Sequence, residues 1–256
     1  MALFKLSKWY LDCISDAGDA VIAYSGTASW GRVRLNYSSI LETTGEQVRE
    51  RHSLRRQSSP VATESAVTWE AKSLRVGGVW EALSKPIREV VYSSDDGLIE
   101  WNCLMPLARA HIGERRGLGY AERLSMTIAP WKIPIQTLRW GRFTSASDWV
   151  TWIDWQGEFA TQIVYVNGQK QPGSTITDER LAWGDEAQLL MNRALVLREG
   201  QLGTTALSVI PGVRKTFPVR LLQISECKWR SRARLERPGT SPIEGWAIHE
   251  RVSWPQ

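Results

Sequence analysis

A repeat constrains this chain more than any other feature. Residues 117–125 read GLGYAERLS and residues 245–253 read GWAIHERVS, so Gly, Glu, Arg and Ser recur in the same order 128 positions apart in a chain of 256. Self-similarity at half the chain length is the mark of a duplicated structural unit. Further resemblances keep the order. Trp101 falls opposite Trp229, LRVGG (74–78) resembles LREGQ (197–201), and SDAGDAVIAYSG (15–26) resembles SASDWVTWIDWQG (145–157). The seam is expected in APWKIPIQT (129–137), where two prolines follow the first unit's last strand, which predicts domains 1–129 and 130–256.

The repeated unit reads as β-structure. AVIAYSG, RVRLNYS, VTWIDW, TQIVYVNGQK, TALSVI, VRLLQIS and CKWRSRARLE are short and rich in β-branched and aromatic residues, and they are bounded by Gly, Pro, Asn-Gly or Asp-Gly. Asn167-Gly168 and Asp96-Gly97 are strong hairpin signals. Helical spacing is credible only at 63–74 and 183–200, and both stretches can also be read as strands. The fold class expected is mainly β: two tandem antiparallel barrels or sandwiches with one or two short helices.

Composition sets outer limits. The chain has 14 Trp against 4 Phe and 6 Tyr, and Trp suits cores and the walls of apolar ligand pockets. Net charge is +5. The densest basic run, RERHSLRR (49–56), reads as a solvated loop, and no nucleic-acid-binding motif accompanies it. Three widely spaced cysteines with no CxxC pair argue for a reducing compartment and against a zinc site or disulfide framework. MALFKLSKWYLDCISD lacks an apolar run long enough for a signal peptide, and no 18 apolar residues run together. A cytoplasmic location is the expectation. With no P-loop, dinucleotide fingerprint, nucleophilic triad or metal-ligand cluster in the sequence, no cofactor or metal is expected.

Strand alternation then isolates acidic candidates. One face of the first repeated strand carries Tyr120, Glu122, Leu124, Met126 and Ile128; the matching face of the second carries Trp246, Ile248, Glu250, Val252 and Trp254. Each glutamate is the single charge on a face expected to look inward. A carboxyl there loses hydration and rises in pKa unless an arginine such as Arg142, Arg193 or Arg230 compensates, and a raised carboxyl can act as a general acid. The alternative is a duplicated structural ion pair. Asp154, among Trp152 and Trp155 and aligned with Ala23, is a candidate present in the second unit alone. His249 neighbours Glu250 on the opposite face.

These features resemble the two-domain lipocalin-like family of carotenoid 1,2-hydratases (hydroxyneurosporene synthases), AttH-like proteins and related cyclases and Diels–Alderases. The resemblance rests on GLGYAERL (117–124), GWAIHERVSWP (245–255), WGRF and WVTWIDWQG within 140–157, and LIEWNCLMP (98–106). It implies two lipocalin- or calycin-like units with an apolar cavity for an isoprenoid, polyene or polyketide-like molecule. Tyr120-Ala-Glu122 is similar to the Tyr-x-acid arrangement of hydratase chemistry, in which a carboxylic acid protonates a double bond and water captures the cation. The candidate acid–base residues are Glu122, Asp154, Glu250 and Tyr120. The candidate substrate-binding residues are Tyr24, Trp101, Trp152, Trp155, Trp229, Trp246 and His249. Three functions follow as expectations: a hydratase, cyclase or isomerase of a hydrophobic unsaturated substrate; a noncatalytic carrier of such a ligand; or an interaction module using residues 49–56. Loose contact with a membrane surface would serve substrate pickup.

Overall fold

The computed structural model of the chain describes residues 4–255 other than 213, 214 and 216, and the side chains of residues 193 and 194 lie outside it. The candidate partner Arg193 therefore falls outside the described side chains. The chain divides into two compact units, Met1–Lys132 and Ile133–Gln256, and each is built on one antiparallel sheet.

In the first unit, β1 (Lys5–Ile14), β2 (Ala20–Trp30), β3 (Val33–Thr44) and β4 (Gln47–Ser53) form a meander. A second run follows: β5 (Val61–Ala62), β6 (Ala66–Ala71), β7 (Val76–Ala82), β8 (Ile87–Ser94), β9 (Gly97–Ile112) and β10 (Arg115–Met126). Strand β10 returns to β1, giving the order β4-β3-β2-β1-β10-β9-β7-β6-β5, with β8 paired to β9 off this path. The sheet curls. Arg51 at one edge donates to the Leu74 carbonyl near the other (2.7 Å), and Trp80 Nε1 on β7 donates to the Asp12 carbonyl on β1 (2.6 Å).

The second unit repeats the path. Its strands are β11 (Thr137–Thr144), β12 (Trp149–Gln156), β13 (Thr161–Val166), β14 (Gln169–Lys170), β15 (Thr175–Ile176), β16 (Arg180–Trp183), β17 (Ala187–Gln201), β18 (Ser225–Glu236) and β19 (Ile243–Ser253). Their order is β14-β13-β12-β11-β19-β18-β17-β16-β15, with the last strand again returning to the first. A one-turn helix, α1 (Val219–Leu222), precedes β18. The fold is mainly β in two tandem units, and among the described residues no helix is long and apolar enough to cross a membrane.

Register shows which repeated residues are equivalent. Tyr10 pairs with Glu122 as Trp140 pairs with Glu250, so the two glutamates occupy one position of the repeat. The repeated glycines have a steric cause: a Cβ on Gly117 would stand 2.0 Å from the Ile14 carbonyl oxygen, and one on Gly245 2.4 Å from that of Thr144. Other resemblances do not survive. Trp101 pairs with Leu124 and Trp229 with His249, on opposite faces of their sheets. The ladder between β9 and β10 is irregular on both sides of Ala121, where Pro106 interrupts β9, while that between β18 and β19 runs unbroken. LRVGG enters β7, LREGQ ends β17, and Asp154 falls opposite Arg139 as Ser25 falls opposite Trp9, not at the place of Ala23.

Three local expectations change as well. Residues 66–71 and 187–201 are strands, because Val67, Trp69 and Ala71, then Leu189 and Met191, are buried at every second position. The stretch RERHS is the edge strand β4, whose exposed arginines discourage further pairing. The face of Glu122 is not the face of the enclosed core. That core, with Trp9, Leu11, Ala23, Trp80 and Ala121, lies across the sheet from it. Tyr120, Ala121 and Glu122 are all buried, so alternation alone could not say which face was enclosed.

Candidate functional site

In the first unit strand pairing gathers seven candidate side chains: Tyr10 and Asp12 from β1, Tyr24 from β2, Trp101 and Cys103 from β9, and Tyr120 and Glu122 from β10. All are at least nine-tenths buried. Tyr10 lies opposite Glu122, and Asp12 opposite Tyr120, which brings their Cβ atoms within about 4.5–5.5 Å. The Tyr120 hydroxyl and Trp101 Nε1 both donate to Oε2 of Glu122, each at 2.5 Å. The Tyr10 hydroxyl donates to Oδ2 of Asp12 at 2.9 Å. The Tyr10 ring meets Tyr24 and Tyr120 edge to face, at 5.4 and 5.9 Å between centroids. Lys8 lies 5.2 Å from the Tyr24 centroid.

This environment holds protons. Burial, joined by the charge of Glu122, pushes the Cys103 thiol well above the usual range; burial does the same to the Tyr120 hydroxyl, with Cys103 and Glu122 adding to it. Both groups stay neutral and serve as hydrogen-bonding partners, not nucleophiles.

The second unit divides its candidates between two faces. Glu250, Trp155 and Trp246 share one with Trp140, Arg142, Lys228 and Arg230. There Glu250 is ion-paired with Lys228, whose ammonium lies 5.3 Å from the Trp140 centroid. Arg230 lies 5.3 Å from the Trp246 centroid, and Arg142 donates to Thr144 Oγ1 at 2.9 Å. The other face carries Trp152, Asp154, Trp229 and His249. Trp152 is core, packed over Gly141, where a Cβ would stand 2.2 Å from the indole ring. His249 stacks on Trp229 at 5.1 Å and exchanges a 2.8 Å hydrogen bond with Ser231. Asp154 accepts from Gln156 (2.9 Å) and Gln162 (3.4 Å) and lies 3.8 Å from Arg139. Burial raises its pKa, and those three neighbours oppose the rise without cancelling it.

Sequence reasoning missed Asp12, Tyr10 and Cys103. A signal existed for the first two: Tyr10-Leu-Asp12 has the spacing of Tyr120-Ala-Glu122. It missed Lys228 too, the counter-ion of Glu250. Among the described residues no group of three or more His, Cys, Asp or Glu is placed to hold a metal ion.

Fold and site together define a protein of two tandem antiparallel β units with a buried tyrosine–carboxyl cluster in its first unit. No protein-family model matches the chain, and no curated protein sequence matches it. Solved structures do. The chain is similar in fold to CghA (TM-score 0.58, 10% identity, covering 98% of this chain and 88% of that one), also solved with Sch210972. It is likewise similar to kievitone hydratase from Nectria haematococca (0.56, 9%, 96% and 88%) and to an AttH-like protein from Nitrosomonas europaea (0.52, 8%, 98% and 92%). These neighbours represent the lipocalin-like hydratase and AttH group that the sequence resembles.

Proposed function

We propose that the chain binds a hydrophobic unsaturated molecule, of isoprenoid, polyene or polyketide-like character, and transforms it by acid-assisted hydration, cyclisation or isomerisation, with Glu122 as the proton donor. The observation that carries this reading is the convergence of Tyr120 and Trp101 on a single oxygen of Glu122. With Oε2 occupied by two donors, a proton carried by Glu122 resides on Oε1. Tyr120 and Trp101 then act as positioning residues, and the tyrosine and tryptophan rings around the acid favour a developing carbocation.

The other acids are better read as structural. Glu250 is paired with Lys228, and Asp154 is clamped by two amides near a guanidinium. Kievitone hydratase is by name a hydratase, and CghA was solved with the small molecule Sch210972. Both support a small-molecule reaction on this fold, although fold alone does not carry function.

The experiment is organic extraction and mass spectrometry of freshly purified protein, followed by turnover of the recovered compound. Glu122→Gln is expected to abolish conversion while leaving uptake, followed by Trp fluorescence, intact. Glu250→Gln and Asp154→Asn are expected to keep conversion. Recovery of no apolar compound, with no quenching of the tryptophans by 1-anilinonaphthalene-8-sulfonate, overturns the reading.

A further inference from the structure

We propose that Asp12, positioned by Tyr10, is a second acid–base residue of the Glu122 site, so that two carboxyls move a proton between two carbons of one bound molecule. The inference rests on the reading of Glu122 above. Register carries it. Leu11 and Ala121 are partners across β1 and β10, and the local twofold axis of an antiparallel pair at that point carries Tyr10 onto Tyr120 and Asp12 onto Glu122. Alternation puts all four side chains on one face. The same motif appears twice, a tyrosine hydroxyl donating to the acid two residues further along its own strand, at 2.9 and 2.5 Å. Cys103 lies opposite Glu122 across β9 and β10, on the same face.

The fold does not require this arrangement. The second unit builds the same strand pair with Trp140 and Arg142 in the places of Tyr10 and Asp12. Fully burying a second carboxyl beside the first costs stability, and a proton-transfer site gives that cost a purpose. One acid can protonate an alkene by itself; moving a double bond calls on a base at one carbon and an acid at another, roles that two carboxyls on one face can divide between them.

The chemistry balances on a β,γ-unsaturated ketone. One carboxylate takes a proton from the carbon between carbonyl and alkene. The C–H electron pair forms the new double bond towards the carbonyl carbon, and the carbonyl electrons move onto oxygen. The resulting dienolate collapses back to the ketone as its far alkene carbon takes the proton of the other carboxyl. The product is the conjugated enone, with no atom gained or lost and no redox partner. Proton exchange with water resets the two acids.

The test uses cyclohex-3-enone as probe and follows the absorbance of cyclohex-2-enone. Wild type is expected to accelerate the shift over buffer, and in D2O to deliver deuterium to the former alkene carbon. Asp12→Asn and Glu122→Gln are each expected to lose about a hundredfold or more in kcat/KM, the range of general acid–base catalysis. Asp12→Glu should recover much of the loss, and Tyr10→Phe should lower kcat with KM held. Near-UV circular dichroism of the tryptophans checks that each variant folds. If Asp12→Asn does not fold, Tyr10→Phe and Asp12→Glu decide, and wild-type kcat in Tyr10→Phe then overturns the inference. A wild-type rate in folded Asp12→Asn beside a slow Glu122→Gln overturns the role of Asp12 and leaves that of Glu122 standing. Wild type no faster than buffer overturns both.

Discussion

Lys228 and Glu250 show how one residue type can serve a different end at each copy of a repeat. Glu250 sits where Glu122 sits, yet its partner is a lysine that is 1% exposed. Removing one member of a buried pair strands the other charge, so Lys228→Met should cost about 3–5 kcal/mol in urea denaturation. Lys228→Met combined with Glu250→Gln should recover most of that loss. Two further carboxyls set opposite pH dependences. Burial tends to raise Asp148, but hydrogen bonds from Ser147, Asn167 and Arg237, with the charge of Arg237, outweigh it and hold the group below its ordinary value. Its folded pKa being depressed, the stability it contributes is present above the unfolded value and lost as pH falls through the folded one. Asp148→Asn is therefore expected to lower Tm at neutral pH and to change it little once that carboxyl is protonated. Asp154 has the reverse sign. Its raised folded pKa penalises the native state above that value, and the penalty fades as pH falls towards the unfolded value. Asp154→Asn should be no less stable than wild type at neutral pH.

Among the elements, turns and close packing were legible to different degrees. Asn167-Gly168 takes positive φ at both residues, 50° and 85°, as a two-residue hairpin turn of type I′ requires. Gly168→Val forces a branched side chain into the left-handed region and is expected to cost about 1–2 kcal/mol in urea denaturation. The β11–β12 pair depends on a contact that no local pattern announces. Trp152 lies over Gly141, with no room for a methyl group. Gly141→Ala should destabilise by about 1–3 kcal/mol as the indole or the strand shifts, measured the same way. The register of the last hairpin in each unit is another case. Ile112 pairs with Arg115 in the first unit but Leu235 with Ile243 in the second, an odd difference in register that puts Trp101 on the Glu122 face and Trp229, its match by counting along the repeat, on the face opposite Glu250.

At the scale of the whole molecule, each unit completes its sheet by pairing its first strand with its last. In the first unit Ile14 meets Leu118 after 103 intervening residues of chain. Loop-closure entropy has to be overcome before such contacts stabilise anything, so refolding from urea is expected to take on the order of seconds or longer. Stopped-flow Trp fluorescence would show it, and a millisecond phase carrying the full amplitude would contradict it.

By itself the sequence determined the β character, the duplication, the hairpin turn at 167–168 and the presence of a glutamate at one repeated position of each unit. All of these follow from spacing and side-chain type, which act locally. Tertiary structure alone decided which of two buried faces encloses the core, that Lys228 neutralises Glu250, and that Tyr10 and Asp12 stand beside Tyr120 and Glu122. Strand alternation assigns a residue to one of two faces. Only the register between strands more than a hundred residues apart says which side chains share that face, and that register is set by how the whole sheet curls and pairs.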